Sequence, residues 1–277
     1  MSDERFAPIS LRTEDGDRAS LCRHGAQLLH WCPGGSEERL YLSTAAIFTP
    51  SRAIRGGIPV LFPQFGLFGD LPKHGLVRDA DWMQQATDSP RHARLTLEDT
   101  PESHRHWPHA FRAALEVELE SQTLTTSLAI DNTGNEAFSF TVGLHTYLAV
   151  ADLATLSIKG LQGLQYLDAT QALMSCTETA EAVQIRGEID RVYLNASTPV
   201  EVVDEHRRTL VSQQGFCDVV VWNPGPDKVR ELSDMPPDDY LRMVCVEAAV
   251  IGEPVTLAPG AQWRGRQTLR ALPDGPA

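Results

Sequence analysis

The stretch Phe111-Arg-Ala-Ala-Leu-Glu-Val-Glu-Leu-Glu120 decides the fold class. Ala113, Leu115, Val117 and Leu119 alternate with Ala114, Glu116, Glu118 and Glu120. A period of two puts the first set on a buried face and the second in water, the pattern of a half-buried β-strand. Short apolar runs separated by turn residues recur at 94–98, 124–130, 138–150, 200–203, 218–222, 243–251 and 267–272, whereas helical period is scarce. Asn132-Thr-Gly-Asn135, between two such runs, predicts a hairpin, and Pro259-Gly260 predicts another near the end. The expected architecture is all-β, a large antiparallel β-sandwich. No linker-like boundary divides the chain, so residues 1–277 are expected to form one domain, with Ser36–Arg39 a solvated loop and 273–277 a frayed tail.

The chain has 277 residues, 42% of them hydrophobic, enough for a sizeable core. Its 24 basic against 37 acidic residues leave a net charge of −13, which repels nucleic acid and anionic membranes. Any anion site must therefore be local. Five cysteines without a Cys-x-x-Cys pair argue against a disulfide framework and for a reducing, cytoplasmic setting. The first residues, Met-Ser-Asp-Glu-Arg-Phe-Ala-Pro, lack the basic-then-apolar order of a signal peptide. No apolar run reaches the ~18 to 20 residues of a spanning helix, so no membrane partner is expected.

Residues 55–82 contain Arg-Gly-Gly-Ile-Pro-Val-Leu-Phe-Pro-Gln-Phe-Gly and then Lys-His-Gly-Leu-Val-Arg-Asp-Ala-Asp-Trp. Gly56, Gly57 and Gly75 let backbone pass close to a ligand, and Pro59, Pro63 and Pro72 stiffen loops that present Arg55, Lys73, His74 and Arg78. Clustered cations in an acidic protein point to a small anion; the alternative is a core strand flanked by surface ion pairs.

Glu247 interrupts the otherwise apolar run Met243-Val-Cys-Val-Glu-Ala-Ala-Val-Ile251. An ionisable group there is costly unless paired or used. Parity puts it with Cys245 and Ala249, opposite Val244, Val246 and Val250. His145, in Thr141-Val-Gly-Leu-His-Thr-Tyr-Leu-Ala-Val150, shares a polar face with Thr141, Gly143 and Tyr147, although a lone strand histidine is often structural. His74 and Asp190 read locally as turn or cap residues. The three histidines of His104-Arg-His-Trp-Pro-His109 suggest a metal cluster, but a solvated loop with no carboxylate or cysteine beside it explains them better, and no metal site is expected. No Walker loop, dinucleotide fingerprint or Gly-x-Ser-x-Gly elbow is present, so no cofactor is expected.

The order of these segments, from about residue 55 to about 269, resembles the hexose-6-phosphate mutarotases, or glucose-6-phosphate 1-epimerases, of the aldose 1-epimerase superfamily. The resemblance implies a galactose mutarotase-like supersandwich with a sugar cleft on one sheet. It also implies Glu247 as catalytic base, His145 as the acid that protonates the ring oxygen, His74 near the anomeric end and Asp190 as acceptor for sugar hydroxyls. Gln64 is expected in the same cleft, with Arg55, Arg78 and Lys73 on the phosphate. His-Gly-Leu-Val-Arg stands where many relatives have His-Gly-Phe-Ala-Arg, and Lys73 where several have glutamine. The implied reaction is cofactor-independent interconversion of the α and β anomers of a hexose 6-phosphate, with Glu247 ionised and His145 protonated at rest, by a monomer whose partner is the small phosphorylated sugar. A free aldose or sulfonated hexose as substrate, or a carbohydrate-binding module without turnover, are the competing readings.

Overall fold

A computed structural model of the chain describes residues 3–205 and 207–273; residues 274–277 of the expected tail lie outside them. Among the described residues the strands form three sheets. The eight-stranded sheet runs Met174–Thr177, Gln165–Asp168, Ile189–Tyr193, Asp218–Asn223, Met243–Leu257, Phe138–Leu144, Val60–Leu61, with Tyr147–Ala149 also paired to Met243–Leu257. At the centre of the nine-stranded sheet, Gln262–Leu272 lies between Arg207–Gln214 and Thr123–Asn132, and Phe111–Glu120 comes next. The ladders are antiparallel. A three-stranded sheet of Ile9–Arg12, Arg18–Leu21 and Leu28–Cys32 completes the set.

The alternation read from Phe111–Glu120 holds for most of the strand: Ala113, Leu115, Val117 and Leu119 are buried and Glu118 and Glu120 exposed, but Ala114, expected in water, is buried too. These side chains join one continuous core with Val219, Val221, Val244, Val246 and Val250 from the eight-stranded sheet. Each fully buried Val or Leu contributes about 1.5–3 kcal/mol relative to exposure. The opposite face of Met243–Leu257, carrying Cys245, Glu247 and Ala249, is thereby turned away from the core.

Both expected hairpins are corrected. Thr123–Asn132 and Phe138–Leu144 belong to different sheets, as do Met243–Leu257 and Gln262–Leu272. Each turn carries the chain across the sandwich, because turn residues reverse the backbone without choosing its partner. Buried Asn132 joins the two crossings: its amide donates to Glu136 O and Leu257 O at 2.9 and 3.0 Å and accepts from Gly134 N at 3.0 Å. Its backbone carbonyl accepts from Gly260 N at 2.9 Å.

Three further expectations change. The 138–150 run is two strands, broken at His145 and Thr146. The 104–109 segment is no loop at its start: Pro101–His106 is helical, with a capping box between Thr100 and Ser103. Its histidines do have carboxylates nearby, His104 on Asp99 at 2.6 Å and His106 against Glu102 at 3.8 Å, while His109 packs on Trp107. In the Ser36–Arg39 loop, Arg39 is buried rather than solvated. Among the described residues, no helix is long and apolar enough to cross a membrane.

Candidate active site

Glu247 is 2% exposed, at the centre of the outer face of the eight-stranded sheet. The neighbouring strands put Trp222 and Tyr147 opposite Cys245 and Val220 opposite Glu247, so one face of three strands makes the floor of a cleft. Ladder spacing fixes these neighbours. Past Val250 the register of Met243–Leu257 shifts. The amides of Ile251 and Gly252 then donate to Asp218 Oδ2 at 2.7 and 2.8 Å, which satisfies backbone groups that the ladder leaves behind.

His145 stands in the break between Leu144 and Tyr147, its amide donating to Pro59 O at 2.9 Å. Its Nδ1 lies 3.3 Å from Glu247 Oε1. Neither Nδ1 nor Glu247 Oε2 has a hydrogen-bond partner among the described residues. A buried polar atom without a partner costs roughly 1–3 kcal/mol, and such cost persists where a ligand uses the atom. The imidazole stacks on the Tyr147 ring, centroids 4.6 Å apart and planes 8° apart.

The loops of residues 51–79 roof the floor. Gly57 (φ 64°) and Gly75 (φ 77°) sit where a Cβ would come within 2.0 Å of Leu28 O and 2.2 Å of Phe62 O, so only glycine lets these loops lie so close. His74, itself at φ 70°, accepts from Gly66 N on Nδ1 at 3.2 Å, which leaves Nε2–H as its donor. Its ring is 5.5 Å from that of His145. Arg55, Lys73, His74, Arg78 and Asp190 line the same cleft of about 700 Å³ as His145 and Glu247.

Gln64 does not line it. Its amide donates to Gly66 O and Leu71 O at 3.2 and 3.0 Å and accepts from Leu71 N at 2.9 Å, so it braces the loop rather than contacting a ligand. Arg55 is less free than expected: Nε and Nη2 reach Asp234 Oδ1 at 3.2 and 3.1 Å, and Nη1 donates to the Tyr147 hydroxyl at 3.0 Å. Arg78 has no ion pair among the described residues, and burial lowers its affinity for its own proton. Lys73, in the same lining, likewise has no ion pair among the described residues, so both cations are open to an anion.

Burial and neighbouring charges act on the His145–Glu247 pair. Burial, and then the charges of His74, Arg55, Arg78 and Lys73, holds His145 well below the usual imidazole range. Burial, followed by Asp190, pushes Glu247 well above the carboxylate range. Both directions act against the expected resting ions, an ionised Glu247 and a protonated His145. Burial likewise pushes His74 down to about 3 and Asp190 up to about 6.

Donor atoms of His145, Cys245 and Glu247 lie within 4.8 Å of one another, the number of ligands a metal could use. The set fits a dication poorly. Burial holds the Cys245 thiol well above its usual range, and Arg55, Lys73 and Arg78 line the same cleft.

The cleft thus holds a buried histidine–glutamate pair on the outer face of an antiparallel sandwich, with Arg55, Lys73 and Arg78 in the same lining. The chain belongs to the aldose 1-epimerase family, whose sequence profile matches residues 8–270. It is 36% identical over 269 residues to a Cenchrus ciliaris protein named "putative glucose-6-phosphate 1-epimerase", covering 92% of this chain and 82% of that one. An Escherichia coli K12 protein of the same name is 36% identical over 243 residues, covering 85% and 81%. Among solved structures, the "putative mutarotase" YeaD of Salmonella typhimurium superposes with a TM-score of 0.85 at 31% identity, over 93% of this chain and 88% of that one. A galactose mutarotase related enzyme from Lactobacillus acidophilus, at 15% identity, shares the fold with a TM-score of 0.79 over 96% and 97%.

The site residues that sequence reasoning missed are Tyr147, Trp222 and Asp234. Parity had placed Tyr147 on the face of His145, and Trp222 lay in a recognised strand, so both left a signal. Asp234 left none.

Proposed function

We propose that this protein interconverts the α and β anomers of a hexose 6-phosphate, with D-glucose 6-phosphate the substrate of first choice. One observation carries the reading: His145 and Glu247 meet at 3.3 Å in a cleft also lined by Arg55, Lys73 and Arg78. A neutral sugar gives no reason for three cations in a protein of net charge −13. The names of its relatives point the same way.

A phosphate dianion at the cations offsets the repulsion that keeps a proton off His145. The reacting pair is then Glu247 carboxylate as base and His145 imidazolium as acid. Glu247 takes the proton of the C1 hydroxyl as His145 gives one to the ring oxygen. The ring opens to the aldehyde, rotation about C1–C2 presents the other carbonyl face, and closure reverses both transfers. Asp190 accepts sugar hydroxyls, and His74 donates Nε2–H near the anomeric end. No step calls for a metal or cofactor. We further propose that the chain works as a one-domain monomer in the cytoplasm, a setting supported by its five free thiols.

The test is anomer exchange followed by NMR magnetisation transfer on glucose 6-phosphate, glucose and galactose in parallel, with the spontaneous rate subtracted. Strong preference for the phosphorylated sugar is expected; equal acceleration of free glucose would replace the hexose phosphate with a free aldose.

A further inference from the structure

Tyr147 touches both ends of the cleft. Its ring lies parallel to the His145 imidazole at 4.6 Å, and its hydroxyl accepts from Arg55 at 3.0 Å. Each neighbour of this pair is itself fixed. Asp234 holds the Nε–Nη2 edge of the Arg55 guanidinium, and the Asp234 carbonyl takes the Ser43 hydroxyl at 2.7 Å. Trp222 stands nearly perpendicular to both rings, 5.9 Å from His145 and 6.1 Å from Tyr147. Tyr147 is 2% exposed, so the chain Asp234–Arg55–Tyr147–His145 contains no loosely solvated link at its centre.

Resting on the function above, we propose that Tyr147 is a positioning residue that makes proton transfer by His145 depend on a tetrahedral dianion at the cationic end of the cleft. The charged groups facing the imidazole set the electrostatic half of this dependence: Arg55, Lys73 and Arg78 with His74 from the loops, Glu247 and the Cys245 thiol from the neighbouring strand. With the cationic end empty, the loop cations oppose positive charge on His145; a bound dianion cancels them. The geometric half runs through Tyr147. Arg55, already held by Asp234, links an oxyanion at the cationic end to the Tyr147 hydroxyl through one guanidinium, and the phenol ring holds the imidazole plane against Glu247. An aromatic face also favours an imidazolium over a neutral imidazole. The phosphate thus contributes to the chemical step as well as to binding, which is how remote binding energy raises kcat.

Tyr147→Phe keeps the ring and deletes the hydroxyl, so it separates coupling from packing. Sulfate serves as a detached phosphate surrogate, since it is a dianion that does not shuttle protons near neutral pH. In the wild-type protein, sulfate should speed exchange of free glucose by about threefold or more, and Tyr147→Phe should lose that acceleration. The variant should also lose about tenfold more kcat on glucose 6-phosphate than on free glucose, with KM for the phosphate within about threefold. Sulfate that leaves wild-type glucose exchange unchanged, or that still accelerates it in Tyr147→Phe, overturns the coupling. So does a variant whose KM alone rises, or one that slows both sugars equally, as lost packing would. Wild-type protein that exchanges neither sugar overturns the anomerase reading itself and the coupling with it.

Discussion

His145 faces Glu247 across a gap in the β-ladder. Phe138–Leu144 ends one residue before the histidine and Tyr147–Ala149 begins two residues after it, while Glu247 lies within an unbroken strand. In the gap the chain finds other partners: His145 N–H donates to Pro59 O, and Val246 N–H donates to Thr146 O at 3.1 Å. The ladder yields locally, and the imidazole reaches the carboxyl at 3.3 Å.

Glu247→Gln and His145→Asn should each keep the fold and lower catalysed anomer exchange by ~10²-fold or more. The double variant should be little slower than either single one, because the two residues act on one proton. Circular dichroism checks the fold and NMR exchange the rate. Near-wild-type exchange in a folded Glu247→Gln protein removes Glu247 from the mechanism.

Arg78→Ala should lose about 10- to 150-fold in kcat/KM on glucose 6-phosphate, the cost of one charge-assisted phosphate contact of ~1.5 to 3 kcal/mol. Free glucose should barely respond. Arg55→Ala should lose as much activity and also melt earlier, since it strands the buried Asp234 carboxylate; Arg55 and Asp234 side chains are only 21% and 15% exposed. Equal proportional losses on both sugars in Arg78→Ala would sink the phosphate assignment.

Asp190 gives a pH signature in stability. Its folded value of about 6 stands above the unfolded carboxyl, so the folded state holds the proton more tightly. Stability contributed by that proton is present below the unfolded value of ~3.9 and is lost as pH rises through about 6. Asp190→Asn should therefore be more stable than wild type at pH ~7.5, by roughly 1–2 kcal/mol after solvent screening, with no gain near pH ~4. Thermal melts at both pH values decide it; an equal shift at both would show that Asp190 ionises normally. The same variant should raise KM for the sugar.

How much of this was legible beforehand depends on range. Phe111–Glu120 declared itself because Leu and Val alternate with Glu, and Glu247 because it is the one charge in a run that is otherwise apolar. Parity within a strand is local information, and it put Cys245, Glu247 and His145 on the correct faces. Sheet membership is not local: the turns at Asn132 and Pro259 looked like hairpins and proved to be crossings. Asp234 meets Arg55 from 179 positions away, a distance no spacing rule spans. Gln64 was misplaced because its neighbours in sequence line the cleft while its own amide is consumed by the loop. The shifts of His145 and Glu247 come from burial and from charges on other segments of the chain, both tertiary properties.

Asn132→Ala should cost about 2–4 kcal/mol, since it strips partners from Leu257 O, Glu136 O and Gly134 N at a buried site. Urea unfolding measures the loss. Exchange per folded molecule should stay near wild type, and a variant as stable as wild type would mean that water replaces the amide at both crossings.

Prolonged chelation should leave the exchange rate unchanged, because burial pushes the Cys245 thiol and the Glu247 carboxyl up, away from the anionic forms that a dication needs. A rate abolished by chelator and restored by one divalent ion would show that the triad holds a metal.

The position of Gln262–Leu272 bears on how the molecule is made. This last described strand is not an edge: it lies between Arg207–Gln214 and Thr123–Asn132, pairing with both along most of its length. During synthesis the two halves of the nine-stranded sheet must wait, unpaired, until that strand leaves the ribosome. Folding dominated by such distant pairings is slow, on the order of milliseconds to seconds. From the synthesis of Thr123–Asn132 until Gln262–Leu272 emerges, the nascent chain therefore carries an open strand edge, and that interval is when it most needs protection from aggregation.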